Sequence, residues 1–151
     1  MHQTFELAGL GESLAINASR TLTSLGLSVT GPILNIDHRD DPLCGLSREL
    51  EFIAGNNILE ELQLDVCFEY ASSASYLTHF ELWSAFDSML TDSVAFPVLR
   101  RVSVELQWFS KYPNLSGSEH DAILESLKKN KFPRLVESEA VEFIFSAGEI
   151  H

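Results

Sequence analysis

One spacing of leucines recurs along the chain and limits what it can fold into. Leu22-Thr-Ser-Leu25-Gly-Leu27-Ser-Val29 reads L-x-x-L-x-L-x-V, and Leu59-Glu-Glu-Leu62-Gln-Leu64-Asp-Val66 repeats it. Leu99-Arg-Arg-Val102-Ser-Val104-Glu-Leu106 is a third copy with branched substitutes. The starts lie 37 and then 40 residues apart, and a fourth start, Leu135, follows 36 residues later. Phe96-Pro97-Val98-Leu99 and Phe132-Pro133-Arg134-Leu135 also share a lead-in. A fixed period of this kind marks units that bury their apolar faces only by stacking on one another. The fourth copy is degenerate. Ser138 falls where an aliphatic is expected, and the strand-like run moves to Val141-Glu-Phe143-Ile-Phe145. Terminal units are commonly atypical, because one side has no neighbour.

Each unit divides into two parts with different periods. Leu62, Leu64 and Val66 alternate with Gln63, Asp65 and Cys67, which predicts a short strand with one apolar face. The preceding part has helical spacing. Leu82, Phe86, Met89 and Leu90 fall on one face after a capping box at Thr78 and Glu81. Ile123, Leu124 and Leu127 do the same after Ser118, with Lys128 and Lys129 in the last turn, where cations suit the helix dipole. Leu46, Leu50 and Ile53 predict a shorter helix stopped by Gly55. Leu7, Leu10, Leu14 and Ala18 form a fourth, loosened by Gly9 and Gly11.

The pattern is therefore helix, loop, strand, about four times over. The expected architecture is an α/β, leucine-rich-repeat-like solenoid with a parallel sheet open on one face, its helices covering the other. It forms a single domain over residues 1–151, with repeats at roughly 7–30, 46–68, 78–108 and 118–146. The loops 31–44 and 110–117 are its variable crossings. A doubly wound sheet has the same alternation, but strands covered on both faces read as continuous apolar runs. Polar residues at alternate positions favour the open sheet.

Composition narrows the function. Ten basic residues against 22 acidic ones give a net charge of -12. Such a surface repels nucleic acid and anionic lipid, which need clustered Lys and Arg. The short runs Arg100-Arg101 and Lys128-Lys129-Asn130-Lys131 read as solvated helix ends or loop residues. Two cysteines, Cys44 and Cys67, are outside any CxxC pair and suggest free thiols in a reducing compartment. Residues 1–15 lack a basic leader and carry Glu6 and Glu12, and no apolar run approaches the ~18 residues of a membrane span. An intracellular location, cytoplasmic or nuclear, is expected. Asn17-Ala18-Ser19 and Asn114-Leu115-Ser116 match the glycosylation pattern and carry no meaning there.

The run Leu59-x-x-Leu62-x-Leu64-x-x-Cys67 resembles the leucine-rich-repeat signature, with Thr30 and Gln107 standing where Cys67 does. Asn57-Ile-Leu-Glu-Glu-Leu-Gln-Leu, Phe96-Pro-Val-Leu-Arg-Arg-Val-Ser-Val-Glu and Phe132-Pro-Arg-Leu-Val resemble the C-terminal repeat region of fungal F-box-type proteins. That resemblance implies a module that holds a substrate protein for a ubiquitin ligase. Residues 1–20 show no counterpart of the F-box itself, so adaptor binding is not implied, and the chain reads as a truncated relative.

Catalytic patterns stop short. His38-Arg39-Asp40 begins like a kinase catalytic loop, but the following residues lack its Asn and no Gly-rich phosphate loop exists. Gly9-Leu-Gly11-Glu-Ser-Leu14 begins like a dinucleotide fingerprint without its third glycine, and reads as a flexible entry to the first helix. Glu119-His120-Asp121 point in different directions on a helix, which disfavours a shared metal. His2, His79 and His151 stand alone. Cys67 has no base in register to activate it. Trp83 and Trp108 read as core anchors. No catalytic residue, cofactor or metal is expected.

One feature remains. Ser28, Asp65, Glu105 and Glu142 fall between core positions, and stacking should align them across the open face, with Gln63 and Ser103 in a neighbouring row. An acidic stripe there suits a basic protein partner. The expected function is non-enzymatic protein binding through this face. The competing readings are a structural fragment with no binding of its own and, less favoured, an enzyme.

Overall fold

The computed structural model describes residues 9–31, 46–68, 82–109 and 128–150, together with 122, 125 and 126. Helices and strands alternate: α1 (Leu10–Asn17), β1 (Ser24–Gly31), α2 (Leu46–Glu51), β2 (Glu61–Phe68), α3 (Leu82–Leu90), β3 (Arg101–Phe109), α4 (Pro133–Glu137) and β4 (Glu142–Ile150). The chain is also helical at 128–131. The four strands form one sheet in the order β1-β2-β3-β4, and every neighbouring pair is parallel.

Register follows the leucine spacing. Leu25, Leu62, Val102 and Phe143 are partners across the sheet, as are Leu27, Leu64, Val104 and Phe145. Because side chains alternate with period two, a slip of one residue would turn every apolar row outward. None occurs. Leu62, Leu64, Val66, Val102, Val104 and Leu106 are all buried, in one core with Leu46, Leu50 and Ile53 from the α2 region and Trp83, Phe86 and Leu90 from α3. On the opposite face Gly26, Ser28, Gln63 and Ser146 are exposed, and Asp65, Ser103, Glu105 and Gln107 are half-buried. The described helices therefore pack on one face and leave the other open, unlike a doubly wound sheet.

The strand entries are built alike. The amides of Glu60 and Glu61 donate to the Thr23 carbonyl, those of Arg100 and Arg101 to the Glu60 carbonyl, and that of Glu142 to the Arg100 carbonyl. Phe96 and Phe132 each donate an amide bond to the carbonyl four residues back, Asp92 and Lys128, and both rings are buried. Phe132 sits at the centre of an aromatic group, with ring centroids 5.4 Å from Trp83, 5.1 Å from Phe143 and 5.5 Å from Phe145.

The fourth unit is irregular, as its sequence indicates: Leu135 is buried within α4 and the strand follows at Glu142–Ile150. Pro133 fits the first turn of this helix with its preset φ, and Asp87 accepts the Arg134 and Leu135 amides of that turn. The glycines near α1 differ from expectation. Gly9 caps the helix at φ 89°, in the left-handed region, and a Cβ on Gly11 would overlap the Glu49 carbonyl oxygen. They set a defined conformation and a close helix approach rather than a flexible entry.

The Thr78–Glu81 capping box, His38-Arg39-Asp40 and Glu119-His120-Asp121 lie outside the described residues. So do Cys44, His2, His79, His151, Asn114 and the side chain of Trp108.

Candidate interaction face

The open side of the sheet presents four rows, each crossing the strands. Ser24, Glu61, Arg101 and Glu142 form the first; Gly26, Gln63, Ser103 and Ile144 the second. Ser28, Asp65, Glu105 and Ser146 form the third, and Cys67, Gln107 and Gly148 the fourth. Period-two alternation on four strands in one register is what brings these residues together.

The stripe expected from sequence is thus shorter than drawn. Ser28, Asp65 and Glu105 share a row, but Glu142 does not join them; Ser146 takes its place. The physical reason is the displaced fourth unit, whose strand pairs Glu142 with Arg101 rather than with Glu105. Gln63 and Ser103 are row partners, and Ile144 continues their row with its side chain exposed.

Electrostatics divide the face in two. In the first row Arg101 lies between two carboxylates, with Nε 3.1 Å from Glu142 Oε2 and a terminal nitrogen 3.6 Å from Glu61 Oε1. Arg100 pairs with Glu60 beside it. Exposed pairs of this kind contribute about 0–1 kcal/mol each, but they cancel the local charge. In the third row no described cation pairs with Asp65 or Glu105. Instead, Gln63 Nε2 donates to Asp65 Oδ2 at 3.3 Å, and Gln107 Nε2 donates to Glu105 Oε1 at 2.8 Å. Like charges on adjacent strands, about 4.8 Å apart, repel by on the order of 1 kcal/mol in water. Among the described residues, the Asp65–Glu105 row keeps a negative pair without a cation, and the Arg101 row is self-neutralised.

Sequence reasoning placed Arg101 among solvated loop or helix-end residues and passed over Glu61 and Gln107. The signal was present: counting two residues back from Ser103 and Gln63, and two on from Glu105, lands on these three.

The glycine-rich segment has its own occupant. The amides of Gly9 and Gly11, which a phosphate-binding loop would offer to its ligand, donate at 3.3 Å and 2.8 Å to the two carboxylate oxygens of Glu49. They serve to join two helices. Among the described residues, no three His, Cys, Asp or Glu side chains are grouped to hold a metal ion, and no helix is long and apolar enough to cross a membrane. No family model, curated protein or solved structure matches the chain.

Proposed function

We propose that the chain is a non-enzymatic, leucine-rich-repeat-like solenoid that binds a basic segment of a partner protein on its open sheet face. The observation that carries this reading is the Asp65–Glu105 pair. It stands on a rigid, in-register sheet, is held in place by Gln63 and Gln107, and has no described cation to neutralise it. A positioned pair on a strand scaffold meets a ligand with little ordering cost, which is what a recognition surface needs. Ser28 and Ser146 flank the pair in its row, and Ser103 and Ile144 offer a hydroxyl and an apolar contact one row away. On this reading the module corresponds to the substrate-holding part of an F-box-type protein, acting within an intracellular compartment.

The test compares two double variants of equal net charge. Asp65→Lys with Glu105→Lys reverses the face; Glu12→Lys with Glu137→Lys reverses two exposed acids on helices. Binding of a basic peptide selected against the parent chain is measured from 50 to 300 mM salt. The face variant should lose at least about tenfold in affinity, chiefly through slower association, and the helix variant far less. Equal losses would mean that the peptide senses only net charge, and that the face is a solvated surface of a structural fragment.

A further inference from the structure

The junctions between repeats are closed by different chemistry. Between the second and third, the exposed strand ends carry the pairs of Arg100 with Glu60 and Arg101 with Glu61, but the bonds of the helix side are neutral. Asn57 Nδ2 donates to the carbonyls of Ile53 and Ala95, both at 2.8 Å, and the Gly55 amide donates to Ala95 at 2.8 Å. The outer junctions each turn on a buried carboxylate. Glu49 of α2 accepts the amides of Gly9 and Gly11 in the first repeat. Asp87 of α3, only 2% exposed, reaches the fourth: Oδ2 accepts the Arg134 amide at 3.0 Å and Oδ1 accepts the Leu135 amide at 2.8 Å. These amides belong to the first turn of α4, which has no side-chain cap of its own.

We propose that Asp87 is a proton-controlled clasp on the fourth repeat, its charge state setting how often α4 and β4 separate from the rest of the sheet. Beyond Asp87, the fourth repeat is joined to the third by β3–β4 pairing, by the exposed Arg101–Glu142 pair and by the packing of Phe132, Leu135, Val141, Phe143 and Phe145.

The sign follows from the forces on the carboxyl. Burial raises its pKa above the ordinary aspartate value. The amide bonds from Leu135 and Arg134, and the Arg134 guanidinium, act the other way and are outweighed. Arg134 is the charged residue of α4 that acts on it. In the separated state Asp87 returns to water and to a pKa of about 3.9. The closed state therefore binds the proton more tightly. The clasp is firmest below about pH 3.9, loosens as pH rises through the higher closed-state value, and changes no further above it. Each unit of displacement changes the ratio of closed to open by about tenfold. β4 contributes Glu142, Ile144 and Ser146 to the open face, so the clasp acts on the strand that forms one edge of that face.

The test uses the full chain. Carboxyl-carbon NMR gives the titration midpoint of Asp87. Hydrogen exchange between pH 4 and 7.5 gives opening constants for β4 and for residues 134–136, each divided by that of β2 to remove global effects. The account expects a midpoint above the ordinary range. It also expects an opening ratio that rises with pH by about tenfold per unit of that displacement. Asp87→Asn, which cannot titrate, should show a flat ratio. A midpoint at or below about 3.9, a ratio that falls with rising pH, or an unchanged profile in Asp87→Asn would overturn the proposal. If Asp87→Asn does not fold, the midpoint and the parent's ratio decide the matter.

Discussion

Leu64 lies on an inner strand, 0% exposed, flanked by Leu27 and Val104 in its row and roofed by the helix layer. Replacing it with alanine deletes three carbons. At about 0.8 kcal/mol for each buried methylene, the transfer loss alone is roughly 2.4 kcal/mol. A cavity adds to this, because Val104 is itself fully buried and strands fixed by ladder bonds on both sides collapse poorly. Leu64→Ala should therefore cost about 3–5 kcal/mol. Gln63→Ala, one residue away on the open face, should cost under about 0.5 kcal/mol. Urea titration followed by circular dichroism reads both, with an unchanged slope confirming that the two states compared are the same. A Leu64→Ala loss under about 0.5 kcal/mol, or a Gln63→Ala loss above about 2 kcal/mol, would show that the faces are reversed and would refute the reasoning.

Gly11→Ala should destabilise by about 1–3 kcal/mol, since its methyl group would displace the Glu49 carbonyl and meet Phe52; a neutral result by thermal melting would mean α1 does not approach α2 this closely. Glu49→Ala should cost about 1–3 kcal/mol by leaving the Gly9 and Gly11 amides without their acceptor, and hydrogen exchange should show the loss concentrated in α1. Reversing Asp65 and Glu105 to lysine should leave the melting temperature unchanged or slightly raised, because the pair repels itself and the net charge of -12 falls; marked destabilisation would mean these carboxylates hold the fold.

Much of the fold was legible because two periods are written into the chain. Leu62-x-Leu64-x-Val66 specifies a strand with one buried face, and three copies in one phase specify neighbours in one register. The fourth strand was legible as the displaced run from Val141 to Phe145, which the structure extends over Glu142–Ile150. Phe132-Pro133 resembles Phe96-Pro97 locally, and whether such a lead-in coils into a helix depends on a distant partner. That partner is Asp87, 47 residues earlier in the chain, holding the first amides of α4. What the sequence misplaced was the register of that strand, which sets Glu142 beside Arg101 and outside the acidic row. Long-range capping has no local signature either. Glu49 reads as one more surface acid on a short helix, and nothing near it in sequence announces its bonds to Gly9 and Gly11. The open face was legible as a set of residue positions, but its charge balance depended on Arg101, which pairs across strands with Glu61 and Glu142.

The central claim, that a partner is received on the open face at the Asp65–Glu105 pair, can be read from side-chain amide signals. Gln63 and Gln107 each donate one amide to that pair, whereas the amide of Asn57 is tied into the junction between two repeats. As a basic peptide selected against the parent chain is titrated in at physiological ionic strength, the NH2 resonances of Gln63 and Gln107 should shift together and saturate, while those of Asn57 stay in place. Saturable binding that moves signals of the helices and leaves Gln63 and Gln107 unmoved would contradict the account.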